Sequence, residues 1–335
     1  MFEARPDETQ SVPRLFSLGT LLTLFPHFTR DIMGINAGAA RIETGAMEVA
    51  RLELSDITVA YEGFLLSNIS FSCDGGEILA LIGRNGAGKT TTIDSIMGLT
   101  KLRSGSVRYD GELVTMENEH RFRQKIGYVG AAHDYYPNIR VSAFLRVVSG
   151  FYARWDASAA ARYLSQFNID PGKKLSQLSN GTKVKLSLAI ALSRAAEVYL
   201  LDEPTAGLDP IVREQVLEIL ESLARERDAC VLFSSHITQD VEKIASRVLF
   251  LVQGKMALEA DLKALDERFV KLRLEDPGLR QVQVRQKGVA LNDRFIVLEK
   301  ADVPPEALAT CERAPLLIED VLIYLNGGAQ DAPAD

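Results

Sequence analysis

Residues 83–90 read GRNGAGKT and satisfy the pattern G-x-x-x-x-G-K-[ST] at every position. The octapeptide follows an apolar run, residues 78–82 (ILALI), and precedes residues 91–97, which read as a helix. A strand feeding a glycine-rich turn that opens a helix is the setting this pattern requires, and it commits the chain to an α/β fold. Glycines let backbone N–H groups turn toward a polyphosphate, and the helix start adds roughly half a positive charge. In that setting Lys89 would reach terminal phosphates and the Thr90 hydroxyl would hold Mg²⁺. The competing reading is a plain glycine-rich turn after a buried strand.

At 335 residues the chain has room for one large domain and a smaller appendage. It is 47% apolar and 25% charged, as expected of a soluble globular protein. A net charge of −7 argues against a nucleic-acid binder, which would carry a basic excess. The three cysteines, Cys73, Cys230 and Cys311, are widely separated and lack metal-ligand spacing, which suits small hydrophobes in a reducing compartment. The longest apolar candidate for a bilayer span, residues 15–25, is well short of the ~20 residues needed.

Residues 1–46 differ in texture from the rest. Residues 14–30 are loosely amphipathic, and Ala37-Gly38-Ala39 resembles a small-residue cleavage site, but Glu3, Asp7 and Glu8 argue against a secretory signal. The expectation is a flexible or interfacial extension, or translation from an upstream start with Met47 as the natural first residue. From there the pattern becomes regular. Residues 52–59 alternate apolar and polar like a half-buried strand, and residues 69–73 continue in that style before the turn Asp74-Gly75-Gly76. Helical segments are expected over 90–99, 141–153, 157–167 and 183–195, and further apolar strands over 198–201, 230–233 and 248–252. Apolar strands alternating with helices predict a parallel sheet covered by helices, with the early alternating strands forming an antiparallel layer. After about residue 262 short strands over 269–274, 282–284 and 295–298 and a helix over 317–325 predict a small α+β appendage. The last residues, GGAQDAPAD, read as a disordered tail.

A second motif is Val198-Tyr199-Leu200-Leu201-Asp202-Glu203-Pro204. Acids at the carboxyl end of a buried strand would sit beside the phosphate loop. There Asp202 could hold Mg²⁺ and Glu203 could orient or deprotonate an attacking water. His236 ends another strand in Phe233-Ser234-Ser235-His236, where its imidazole could contact the γ-phosphate. Between these motifs Leu178-Ser179-Asn180-Gly181-Thr182 opens a helix and makes a second anion-binding start, or an ordinary N-cap. Two such starts in one chain suggest that one serves a nucleotide held by a second subunit.

With these motifs in this order, the chain resembles the nucleotide-binding subunit of ATP-binding cassette (ABC) transporters over roughly residues 47–262. The resemblance implies a P-loop ATPase core with a mixed, largely parallel sheet, an antiparallel β layer and a helical subdomain. It implies domain limits of 1–46 for the extension, 47–262 for the ATPase and 263–335 for the accessory region. Tyr61 matches the aromatic that stacks on adenine. Gly83, Arg84, Asn85, Gly86, Ala87, Gly88, Lys89, Thr90 and Thr91 match the ATP-contacting loop. Ser179 and Gly181 stand in the family signature, and Asp209 in Gly207-Leu208-Asp209 matches the loop that crosses the dimer interface. Thr90 and Asp202 match the Mg²⁺ ligands, Glu203 the catalytic acid and His236 the switch histidine.

The resemblance further implies a dimer closing around ATP, as homodimer or heterodimer, with a separate transmembrane permease as partner. The place of action would be cytoplasmic, on the inner face of the plasma membrane. Two positions depart from the family pattern. Asn180 and Thr182 replace a Gly and the Gln of the usual Leu-Ser-Gly-Gly-Gln, and Ala131 stands where relatives carry Gln or Glu. These features, Phe233–Thr238 and the C-terminal strands look most like bacterial ABC-2-type exporter subunits of the bacitracin-resistance sort. The alternatives are a non-transport ABC ATPase acting on nucleic acid or ribosomes, and a nucleotide-sensing module with slow hydrolysis.

Overall fold

The computed structural model describes residues 49–131, 136–274, 288–292 and 294–327. The expected N-terminal extension, the strand at 282–284 and most of the C-terminal tail lie outside the described residues.

Ten-residue strands β1 (Leu52–Tyr61) and β2 (Phe64–Cys73) form a hairpin in antiparallel register from Leu52↔Cys73 to Tyr61↔Phe64. With β4 (Ser104–Tyr109) and β5 (Glu112–Leu113) they build the antiparallel layer, ordered β2-β1-β4-β5. The second sheet holds β3 (Ile78–Ile82), β6 (Ile126–Val129), β7 (Val198–Asp202), β8 (Cys230–Ser235), β9 (Arg247–Val252) and β10 (Lys255–Asp261), ordered β10-β9-β3-β8-β7-β6. Its strands run parallel except β10, which is antiparallel to β9.

β3, β7 and β8 are buried along their whole length, and their alternate residues feed two different cores. Ile78, Ala80, Ile82, Tyr199, Leu201, Val231 and Phe233 face one cluster. Leu79, Leu81, Val198, Leu200, Cys230 and Leu232 face the other, shared with Leu54, Ile57, Leu66 and Val107 of the antiparallel layer. The period of two that sends neighbours to opposite faces thus explains why both faces must be covered. Truncating a wholly buried residue such as Leu200 to Ala would cost about 2–5 kcal/mol.

Helices cover the sheet. α1 (Lys89–Ile96) follows the phosphate loop and inserts Ile93 and Ile96 between the sheet and the antiparallel layer. It stops short of residue 99, with Gly98 at φ 64° closing the helix. α2 (Glu119–Lys125) leads into β6. α3 (Val141–Ser149) ends at Gly150 rather than running to 153, and α4 (Ala157–Gln166) is capped by Asp156, which accepts from the N–H groups of Ser158 and Ala159. α5 (Asn180–Leu192) begins three residues earlier than the apolar pattern indicates, because the Ser179 hydroxyl caps it from Thr182 N–H. α6 (Pro210–Arg227) is the longest helix described, and the apolar pattern did not reveal it, yet Asp209 at the N-cap and Pro210 at the first turn mark its start. α7 (Thr238–Ile244) follows β8.

Beyond β10, α8 (Leu265–Arg268) leads to β11 (Phe269–Arg273), which lies in a small sheet ordered β12-β13-β11-β14 with β12 (Val289–Ala290), β13 (Phe295–Glu299) and β14 (Arg313–Ala314). α9 (Pro305–Thr310) and α10 (Ile318–Gly327) are the last elements of the described residues. Leu265, Phe269, Val297, Ile318 and Val321 belong to the same apolar cluster as β3 and β7, so the accessory elements share a core with the sheet. No helix among the described residues is long and apolar enough to cross a membrane.

Candidate active site

The parallel register aligns three strand ends. Ile82 pairs with Ser235 and Asp202 with Ser234, so the loop after β3, the acids after β7 and the residues after β8 meet at the carboxyl edge of the sheet.

The loop itself requires glycine. Gly86 and Gly88 have φ of 81° and 110°, a region L side chains rarely enter. A Cβ on Gly83 would lie 2.5 Å from the Leu251 carbonyl oxygen, and one on Gly88 would lie 2.7 Å from Leu66 Cδ1. Backbone N–H groups in this conformation form a concave, electropositive cradle at the start of α1. Lys89 is buried; its ammonium donates to the Gly83 carbonyl at 2.9 Å and stands 3.6 Å from Glu203 Oε1. Arg84, Asn85, Gly86 and Thr90 are exposed, Thr91 is half-buried and Ala87 buried, so the cradle is open to a ligand on its polar side.

Thr90 Oγ1 donates to Asp202 Oδ2 at 2.6 Å. The other carboxylate oxygen of Asp202 accepts from Ser234 Oγ, and that hydroxyl in turn accepts from the Glu203 N–H at 2.9 Å. Ser234 thereby fixes both acids, although the sequence marks it only as a hydroxyl residue ending an otherwise apolar strand. Glu203 has φ 51°, a left-handed conformation that costs a non-glycine residue about 1–3 kcal/mol and is tolerated where surrounding bonds impose it. Its Oε2 lies 2.6 Å from His236 Nδ1 and accepts weakly from the His236 N–H at 3.3 Å. Nδ1 is the donor in this pair when it carries a ring proton.

Tyr128 Oη, on β6, donates to Asp94 Oδ1 at 3.0 Å, one turn along α1 from Thr90. Burial raises the Asp94 pKa; the Tyr128 hydrogen bond opposes the shift and the nearby Asp202 charge adds to it. Ala131, just past β6, is exposed, and Tyr61 is exposed at the β1–β2 turn with its hydroxyl 2.5 Å from Thr100 Oγ1.

The family model described as ABC transporter matches residues 66–206. The chain is 34% identical to the Nod factor export ATP-binding protein I of Burkholderia orbicola, over 66% of this chain and 74% of that one. The chain belongs to the ABC transporter family of ATP-binding proteins. It is also 27% identical to the ABC transporter ATP-binding protein YtrB of Bacillus subtilis, over 83% of this chain and 98% of the relative. The bacitracin transport ATP-binding protein BcrA of Bacillus licheniformis is 29% identical over 70% and 78% of the two chains. A solved ATP-binding subunit of an ABC transporter superposes with TM-score 0.59 at 26% identity, covering 70% of this chain and 96% of that one. A dimeric bacterial ABC cassette shares the fold, with TM-score 0.57 at 22% identity over 63% of this chain and 98% of that one.

In this ABC ATPase the start of α5 and the 207–209 loop form a second group. Ser179 Oγ lies 2.8 Å from Thr182 Oγ1, so the two hydroxyls pair at the helix start. A Cβ on Gly181 would come within 2.8 Å of the Gly207 carbonyl, and Lys185 Nζ is 3.3 Å from Asp209 Oδ2. The hydrogen bond from Val212 N–H to Asp209 holds that carboxyl below its usual range; burial opposes the shift and Lys185 adds to it. Among the described residues, the hydrogen bonds of Ser179 stay within its own helix start, while Lys89, Thr90, Asp202, Glu203 and His236 form one set connected through Ser234.

Proposed function

We propose that this ABC ATPase is the motor of a bacterial exporter: it binds ATP at the 83–90 loop, dimerises with a second ATPase subunit, and drives a separate membrane permease from the cytoplasmic side. The observation that carries the reading is the connected set Lys89–Glu203–His236 and Thr90–Asp202 at one sheet edge. The exporter assignment draws on relatives whose names refer to Nod factor export and bacitracin transport. The ATPase domain is taken as residues 47–262, the remainder being the extension and the accessory region.

The donor set fits Mg²⁺. Thr90 and Asp202 offer hard oxygens in contact, and no cluster of three or more His, Cys, Asp or Glu suited to a metal occurs among the described residues. An ion held by two protein oxygens, phosphate oxygens and waters is the arrangement Mg²⁺ prefers over an all-protein cage. When bound it would neutralise charge on the β- and γ-phosphates.

This chain's own residues supply the rest. The backbone of residues 86–90 and the start of α1 cradle the phosphates, and Lys89 exchanges its contacts with Gly83 and Glu203 for phosphate oxygens. Glu203, released from that cation, accepts the proton of the attacking water. His236 holds Glu203 through Nδ1 and presents its other nitrogen to the γ-phosphate. Tyr61 stacks on adenine. Ser179, Gly181 and Asp209 face the nucleotide bound by the partner subunit, which makes hydrolysis depend on dimerisation.

Co-purification from detergent-solubilised membranes of the source cell tests the reading. An integral membrane protein that raises ATPase turnover is expected; recovery with ribosomes or nucleic acid and no membrane partner would contradict it.

A further inference from the structure

Below the Glu203–His236 contact, the segments after β7 and β8 are joined a second time. Asp240, in the first turn of α7, is wholly buried. Its Oδ2 accepts from Thr205 Oγ1 at 2.6 Å, and its Oδ1 accepts from the guanidinium Nε of Arg213. Thr205 lies two residues past Glu203 and is itself buried; Asp240 lies four past His236. Arg213 is in the first turn of α6, with its N–H donating to the Asp209 carbonyl at 2.9 Å. One carboxylate therefore ties the loop bearing Glu203, the helix capped by Asp209 and the helix that follows His236.

The chemistry of this tie favours geometry over stability. A buried ion pair contributes little net stability compared with apolar packing, because desolvation offsets its attraction. Two hydrogen bonds accepted by one buried carboxylate do, however, fix the spacing of the groups that donate them. The other link between the same helices, Lys243 to Glu214, is half-exposed at both ends and imposes far less. The side-chain partners of Asp240 are Thr205 and Arg213, so its influence passes through them.

We propose that Asp240 is a positioning residue for ATP hydrolysis, holding Glu203, Asp209 and His236 in register through Thr205 and Arg213. The proposal rests on the reading of Glu203 and His236 as the hydrolytic pair. Displacement of a catalytic group by about 1 Å can cost 10²-fold in rate. Loosening the tie is thus expected to lower kcat without altering nucleotide affinity.

The test measures kcat, the Kd for a fluorescent ATP analogue and Tm on the full chain. Thr205→Val removes the hydroxyl donor at constant shape and is expected to lower kcat about 10–100-fold with Kd unchanged. Thr205→Ser restores the donor and should restore turnover. Asp240→Asn should behave like Thr205→Val; if it fails to fold, the Thr205 pair alone decides. Lys243→Ala should match the unmodified chain. Combined with Glu203→Gln, Thr205→Val should add no further loss to the residual turnover, since Thr205 acts through the loop whose acid is already disabled. Normal kcat in Thr205→Val overturns the proposal, as does a loss that multiplies with that of Glu203→Gln and tracks a lowered Tm. A parallel Glu203→Gln variant separates the two levels: if it hydrolyses normally, the underlying reading falls and the proposal with it. If it is inactive while Thr205→Val is normal, only the positioning role falls.

Discussion

His236 Nδ1 stands 2.6 Å from Glu203 Oε2, joining the carboxyl ends of β8 and β7 beside the Lys89 ammonium. Glu203 therefore sits between a cation on one side and an imidazole on the other, before any phosphate arrives.

That placement gives Lys89 two tasks. Lys89→Ala removes a charge-assisted contact to the phosphates, a loss of about 1.5–3 kcal/mol per hydrogen bond. ATP affinity, read by isothermal titration calorimetry, should fall at least about 10-fold to 100-fold, with the apo protein still folded. Unaltered affinity would show that the phosphates lie elsewhere.

Closure of the dimer should depend on the second group of residues. With ATP, Glu203→Gln is expected to sediment as a dimer, and adding Ser179→Arg should return it to a monomer by placing bulk at the partner's γ-phosphate. Gly181→Ala should also weaken the dimer, because its Cβ would come within 2.8 Å of the Gly207 carbonyl and push the 207–209 loop away. An ATP-saturated monomer at high concentration would rule out the homodimer.

Asp94 offers a pH test. Burial raises its folded pKa, against the Tyr128 hydrogen bond and with the Asp202 charge. A carboxyl with a raised folded pKa contributes stability fully below its unfolded pKa and loses it as pH rises through the folded one. At neutral pH the ionised group is a cost, which Asp94→Asn relieves while keeping an acceptor for Tyr128. In the nucleotide-free protein this variant should melt above the unmodified chain at about pH 8, and the gap should narrow toward about pH 5. A gap independent of pH would mean that packing, not ionisation, sets the difference.

Much of this site is legible in the sequence because it is local. The 83–90 loop carries its own strand, glycines and helix start, and Asp202–Glu203 and His236 each end an apolar run. What the sequence conceals is set by pairing across long separations. Thr205 meets Asp240 across 35 residues, and Tyr128 meets Asp94 across 34. No local pattern encodes these, since each depends on which strands become neighbours. Element ends shifted for local reasons: Gly98 and Gly150 ended helices early, and Ser179 began one early. α6 escaped notice because its charged residues dilute the apolar period, although Asp209-Pro210 announces it.

The steady-state turnover of Glu203→Gln, measured beside its ATP affinity, tests the account most directly. Glutamine keeps the shape of the side chain and its contact with His236 but cannot accept the water proton. The account predicts that kcat falls by about 10²–10⁴-fold while Kd for ATP stays at the unmodified value. Turnover within a few-fold of the unmodified enzyme, at full ATP occupancy, would contradict the role of Glu203 and the site built around it.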